Sequence, residues 1–126
     1  MPFAEDFIDE YEIGFCEAGK ANGYVCERLD VAAFTGDIVL EMKRRILSSH
    51  GVIALLNGGN PNVFLEVGFA LAHSKPIILV ADESEQIPFD VRGHRCIRYR
   101  SIAKLREALT QEIAALKAQG VLVKTA

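Results

Sequence analysis

The segment Asn60-Pro61-Asn62-Val63-Phe64-Leu65-Glu66-Val67-Gly68 holds the residues best suited to chemistry. It sets one carboxylate, Glu66, near the start of an expected helix. Before it comes a loop of small and polar residues, Asn57-Gly58-Gly59-Asn60-Pro61. A strand, a glycine-rich loop and a helix in that order form the unit where open α/β sheets hold ligands. A carboxylate there is placed to meet a bound ligand. The competing reading is that an acidic residue in a first helical turn only steadies the helix, by about 0.3–1 kcal/mol.

The elements that must position Glu66 follow from periodicity. Gly51 to Leu56 is a short apolar run bounded by turn residues, which predicts a buried strand. Asn62 is the expected N-cap and Val63 to His73 the helix, so Glu66 falls in or near the first turn. The unbonded N–H groups there favour negative charge. Upstream, Phe7, Tyr11, Phe15 and Ala18 recur every three or four residues and predict a helix from Ala4 to Ala21. Asn22-Gly23 ends it, with Gly23 as a left-handed cap. Tyr24 to Leu29 reads as a short strand. Thr35 can cap a second helix from Gly36 to Ser49, with Ile38, Met42 and Ile46 inward. Ile77 to Val80 predicts a central strand, Asp82 to Asp90 a polar loop, and Cys96 to Tyr99 a last strand. Ile102, Leu105, Leu109, Ile113 and Leu116 mark a C-terminal helix, with Gly120 as its cap. Strands alternating with helices predict a parallel sheet covered on both faces.

The chain of 126 residues suits one domain, and its 50% hydrophobic and 25% charged content is that of a soluble globular protein. Fourteen basic residues against 17 acidic ones give a net charge of -3. No basic stripe suits a phosphate backbone, so nucleic acid is not an expected partner. No apolar run approaches the roughly 20 residues of a membrane span. The N-terminus shows no signal-peptide pattern, so a cytoplasmic location is expected. Cys16, Cys26 and Cys96 are too scattered for a disulfide framework or a zinc site, and each reads as a small buried hydrophobe. His50, His73 and His94 are scattered too. No metal or cofactor is expected.

Four segments together carry a resemblance: Met1-Pro2-Phe3-Ala4-Glu5, Cys26-Glu27-Arg28-Leu29-Asp30, the Asn60–Gly68 segment, and Ile87-Pro88-Phe89-Asp90-Val91-Arg92-Gly93. In these the chain resembles the nucleoside 2-deoxyribosyltransferase-like superfamily, in its small TIR-like, predicted nucleotide-binding branch. The resemblance implies a three-layer flavodoxin/Rossmann-like parallel sheet. It implies a pocket at the strand C-termini for a nucleoside, a nucleotide or an NAD-like molecule. In catalytic relatives the residue matching Glu66 attacks the anomeric carbon, by the logic of a retaining glycosidase. That role needs an ionised Glu66. Asn57, Asn60, Asn62 and the Gly58-Gly59 backbone would bind ribose hydroxyls or phosphate. Phe3 and Phe89 would stack on the base or pack in the core, and Asp30 or Asp90 would supply an acid. Arg28 and Arg92 would meet a phosphate or form surface ion pairs. Relatives complete their pockets across subunits, so a homodimer is expected.

The chain also departs from the pattern. Leu55 stands where relatives carry an Asp near the sugar, Asn57 where they carry a Thr, and Leu65 where they carry a Tyr. Losing that Asp removes a candidate general acid, a role worth about 10²–10⁴-fold in rate. The family strand that precedes Met-Pro-Phe is missing; Val121 to Val123 read as a short strand that either fills its slot or covers the end of the C-terminal helix. The alternative function is a non-catalytic TIR-like nucleotide sensor or interaction domain.

Overall fold

The computed structural model describes residues 7–28, 38–90 and 93–122. Helix α1 (residues 8–21) is wound as a π-helix over Glu10–Cys16 and as an α-helix over Glu17–Ala21. Helix α2 (Ile38–Ser48) leads to strand β1 (Val52–Leu55). A single tight turn, Asn57–Gly59, leads into α3 (Pro61–Ala72), then β2 (Ile77–Asp82), β3 (Arg95–Tyr99) and α4 (Ile102–Ala118). The strands lie in the order β1-β2-β3 and all run parallel, with Val52 opposite Ile77 and Ile78 opposite Arg95.

Strand alternation divides the core in two. Leu55, Ile78 and Val80 point to one face and pack with Phe15 of α1 and with Leu105, Leu109, Ile113 and Leu116 of α4. Ala54, Leu56, Ile77, Leu79 and Ala81 point to the other, against Met42 and Ile46 of α2 and Val63, Val67 and Ala70 of α3. A strand that is buried on both sides must read as an unbroken apolar run, and Ile77–Ala81 does. Each fully buried Leu or Val contributes about 1.5–3 kcal/mol. This is a three-layer α/β fold of the flavodoxin/Rossmann kind, with a three-stranded sheet between helical layers. Among the described residues no helix is long and apolar enough to cross a membrane.

Three expectations need correction. Residues 24–28 form no strand. The segment leaves α1 through a left-handed Gly23, with the Tyr24 N–H bonded back to the Gly19 carbonyl at 2.9 Å. The Cys26 carbonyl then accepts from the Tyr11 hydroxyl at 3.3 Å and the Cys16 thiol at 3.8 Å. Side chains of α1 thus take an acceptor that a sheet ladder would have used. The second correction concerns Val121 and Leu122, which do not enter the sheet. The Val121 N–H caps α4 by bonding the Leu116 carbonyl at 3.0 Å, Gly120 supplies the left-handed turn, and both side chains pack on the α1–α4 core. Third, the N-cap of α3 is Asn60 rather than Asn62, with Pro61 first in the helix, where its missing N–H costs nothing. Glu66 therefore lies in the second turn, not the first. The expected Thr35 cap and the expected helix start at Ala4 lie outside the described residues, as does Val123.

Candidate functional site

Beyond β1 the chain must turn sharply to begin α3, and two glycines allow it. Gly58 and Gly59 take φ of 81° and 61°, in the left-handed region that side chains resist. Asn60 then accepts the Asn62 N–H at 2.9 Å and starts the helix. Asn57 turns inward. Its Oδ1 accepts the Asp82 N–H at 2.8 Å, and its Nδ2 donates to the Tyr99 hydroxyl oxygen at 2.7 Å. The Tyr99 hydroxyl donates in turn to Glu10 Oε2 at 2.8 Å. This buried chain ties the C-terminal ends of all three strands to α1. Burial and the Glu10 carboxylate both push the Tyr99 hydroxyl well above its ordinary value, so it stays protonated and donating.

Helix α3 carries Glu66 inward, where it is only 4% exposed. Burial raises its carboxyl above the ordinary 4.5, because a charged carboxylate there forgoes hydration. Glu66 lines a groove of about 530 Å³ that runs beside β1. Tyr11 and Phe15 of α1 wall one side and Arg44, Arg45 and Ile46 of α2 the other, with Val52 and Ile53 between them. The segment 24–28 contributes Tyr24, Glu27 and Arg28, and His50 lies near the end of the groove with its ring 5.1 Å from that of Tyr24. The Arg28 guanidinium sits over the Tyr11 ring, 5.9 Å from its centroid. Both arginines of α2 bond Glu41, which holds that half-buried carboxyl down at about 2. The groove therefore offers aromatic faces, cationic rims and one buried carboxyl.

The expected site residues separate into four groups. Glu66 faces the groove. Asn57, Gly58, Gly59, Asn60 and Asn62 build the β1–α3 turn and do not line the groove; the Asn57 and Asn60 amides hold the backbone and the buried chain together. Phe89 packs edge-on against Phe64, ring centroids 6.0 Å apart, in the core between the sheet and α2–α3, and Asp90 is exposed. Phe3, Asp30 and Arg92 lie outside the described residues. Cys16, Cys26 and Cys96 are half-buried rather than buried as expected, and burial pushes the Cys26 thiol up to about 12.

Sequence reasoning missed Glu10 and Glu27. Glu10 lies three residues after Phe7 on the buried stripe of α1, and a carboxylate on an apolar stripe was the available signal. The π-helical winding around it, a form that favours functional sites, was not legible. Glu27 is the second carboxyl among the described residues that line the groove. Comparison with protein-family models, curated proteins and solved structures returned no match for this chain.

Proposed function

We propose that the chain binds a nucleoside, a nucleotide or an NAD-like molecule in the groove beside β1 and acts at its N-glycosidic bond. Glu66 is the residue that meets the anomeric carbon. One observation carries the reading: a carboxyl that is almost wholly buried, with a raised pKa, faces the groove. Perturbed carboxyls in clefts of this size, within the roughly 300–1,000 Å³ of ligand pockets, mark functional sites. Tyr11 and Tyr24 suit a planar base, and Arg44 and Arg45 suit a phosphate at the rim.

In this reading a Glu66 oxygen bonds the anomeric carbon as the carbon–nitrogen bond breaks. The electron pair goes to the base, which takes a proton from water. Water or a second base then cleaves the ester. The test is to incubate the protein with NAD, deoxynucleosides and deoxynucleoside monophosphates and to separate the products. Release of free base by the native protein, lost in Glu66→Gln, supports the reading. No release from any of them removes the catalytic half.

A second reading, binding without chemistry, is favoured by Leu55. The position that relatives fill with an Asp is fully buried here, in the core under α1 and α4. A sensor of this kind would show a ligand-induced rise in melting temperature with no base released.

A further inference from the structure

The three cysteines are scattered along the chain, yet the fold brings two of them together. Cys16 ends the π-helical stretch of α1, and Cys26 lies on the segment that returns along that helix. Tyr24, Cys26 and Arg28 of this segment are half-buried, while Val25 and Glu27 between them are exposed. That alternation turns Cys26 toward α1. Gly19, one turn beyond Cys16, lets the segment come close: a Cβ built there would lie 3.7 Å from the Cys26 Cβ. The Cys16 thiol reaches the Cys26 carbonyl at 3.8 Å, and the Tyr11 hydroxyl reaches the same oxygen at 3.3 Å. The two side chains also meet. Burial first, and then the neighbouring Cys16 side chain, hold the Cys26 proton in place. Cys96 lies apart from them, on β3.

We propose that Cys16 and Cys26 are a reversible redox pair, closed into a disulfide by a low-molecular-weight disulfide such as oxidised glutathione. The Cys16 thiolate attacks one sulfur of that reagent. A mixed disulfide forms, and one small thiolate departs and takes up the proton that Cys16 released. The Cys26 thiolate then attacks the Cys16 sulfur, and the second small thiolate departs and takes up the Cys26 proton. Two protein thiols and one small disulfide thus give one protein disulfide and two small thiols. Cys16 acts first because Cys26 holds its proton more firmly, and Cys26 resolves the intermediate because it is already in place. The link joins residues that are already in contact, so it asks little movement of segment 24–28. It fastens to α1 the wall of the groove that carries Tyr24 and Arg28, and it does so whatever the groove binds. A single half-buried pair, rather than a framework of bridges, suits a transient, redox-sensing disulfide.

The test is to equilibrate the full chain in glutathione buffers of graded redox ratio, quench with acid, and alkylate the remaining thiols in urea. Mass spectrometry should count three alkylated cysteines in reducing buffer and one, Cys96, in oxidising buffer. Trypsin cuts after Lys20, between the pair, and should leave two peptides joined through Cys16 and Cys26. Dithiothreitol should restore all three thiols. The native fold should favour the link at least about tenfold over the same chain in urea, because the fold has already brought the pair together. By linkage the closed form should melt at least about 3 °C higher than the reduced one. Cys96→Ser should leave the link unchanged, and Cys16→Ser should abolish it. Four results overturn the proposal. They are three free thiols in every buffer, a glutathione adduct that never gives way to the link, a link that uses Cys96, and a link no more favoured in the native chain than in urea.

Discussion

Glu66 concentrates the argument at the scale of single residues. The sequence suggested a carboxylate kept ionised by a helix N-terminus. The N-cap at Asn60 moves it to the second turn, beyond the reach of most of that field, and burial then dominates and raises its pKa. The sign of the consequence is fixed. A raised folded-state value means that Glu66 favours folding fully below the unfolded value of about 4.5, and that this contribution is lost as pH rises through the folded value. Glu66→Gln should therefore raise the melting temperature at pH 8 and change it little at pH 4. A mutant less stable at pH 8 would show that the ionised carboxylate is the form the fold prefers. The buried chain gives a second expectation. Tyr99→Phe removes the donor to Glu10 and the acceptor for Asn57, and should cost about 1–3 kcal/mol by denaturant unfolding, the usual cost of stranding buried polar groups. A loss below half a kcal/mol would mean that water replaces the hydroxyl.

At the scale of elements, most of the fold was legible because its signals are local. Gly23 and Gly120 end α1 and α4 as their spacing suggested, and the unbroken Ile77–Ala81 run is the central strand. What was not legible depends on contacts distant in sequence or invisible to periodicity. Residues 24–28 have strand-like composition, yet the Cys26 carbonyl is held by Tyr11 and Cys16 of α1. Val121 and Leu122 are apolar enough for a strand, yet the cap of α4 turns them onto its own core. The same limit hid the groove, whose walls come from α1, α2, α3 and the 24–28 segment, while its one expected residue was Glu66. Close packing of α1 on α4 makes Gly14 informative. A Cβ there would fall 2.7 Å from Leu105 Cδ2, and Leu105 is fully buried. Gly14→Ala should cost about 1–3 kcal/mol through overpacking, despite the better helix propensity of Ala. Equal or higher stability would mean that Leu105 has room to move.

For the whole molecule, the sheet, groove and outer faces divide the labour. The α1–α4 layer is tied to the strand ends by the Glu10–Tyr99–Asn57 chain and faces water with charged residues. The α2–α3 layer carries Glu66 inward and an apolar surface outward. The claim at the centre of this account is that Glu66 acts on a bound nucleoside or nucleotide. The most direct measurement is free base released from NAD, deoxynucleosides and deoxynucleoside monophosphates by native protein and by Glu66→Gln, followed between about pH 5 and 8. The account predicts release by the native protein that climbs with pH as Glu66 ionises, and a loss of at least about a hundredfold in the mutant, as expected for removal of a nucleophile. Equal release by the two proteins would contradict it.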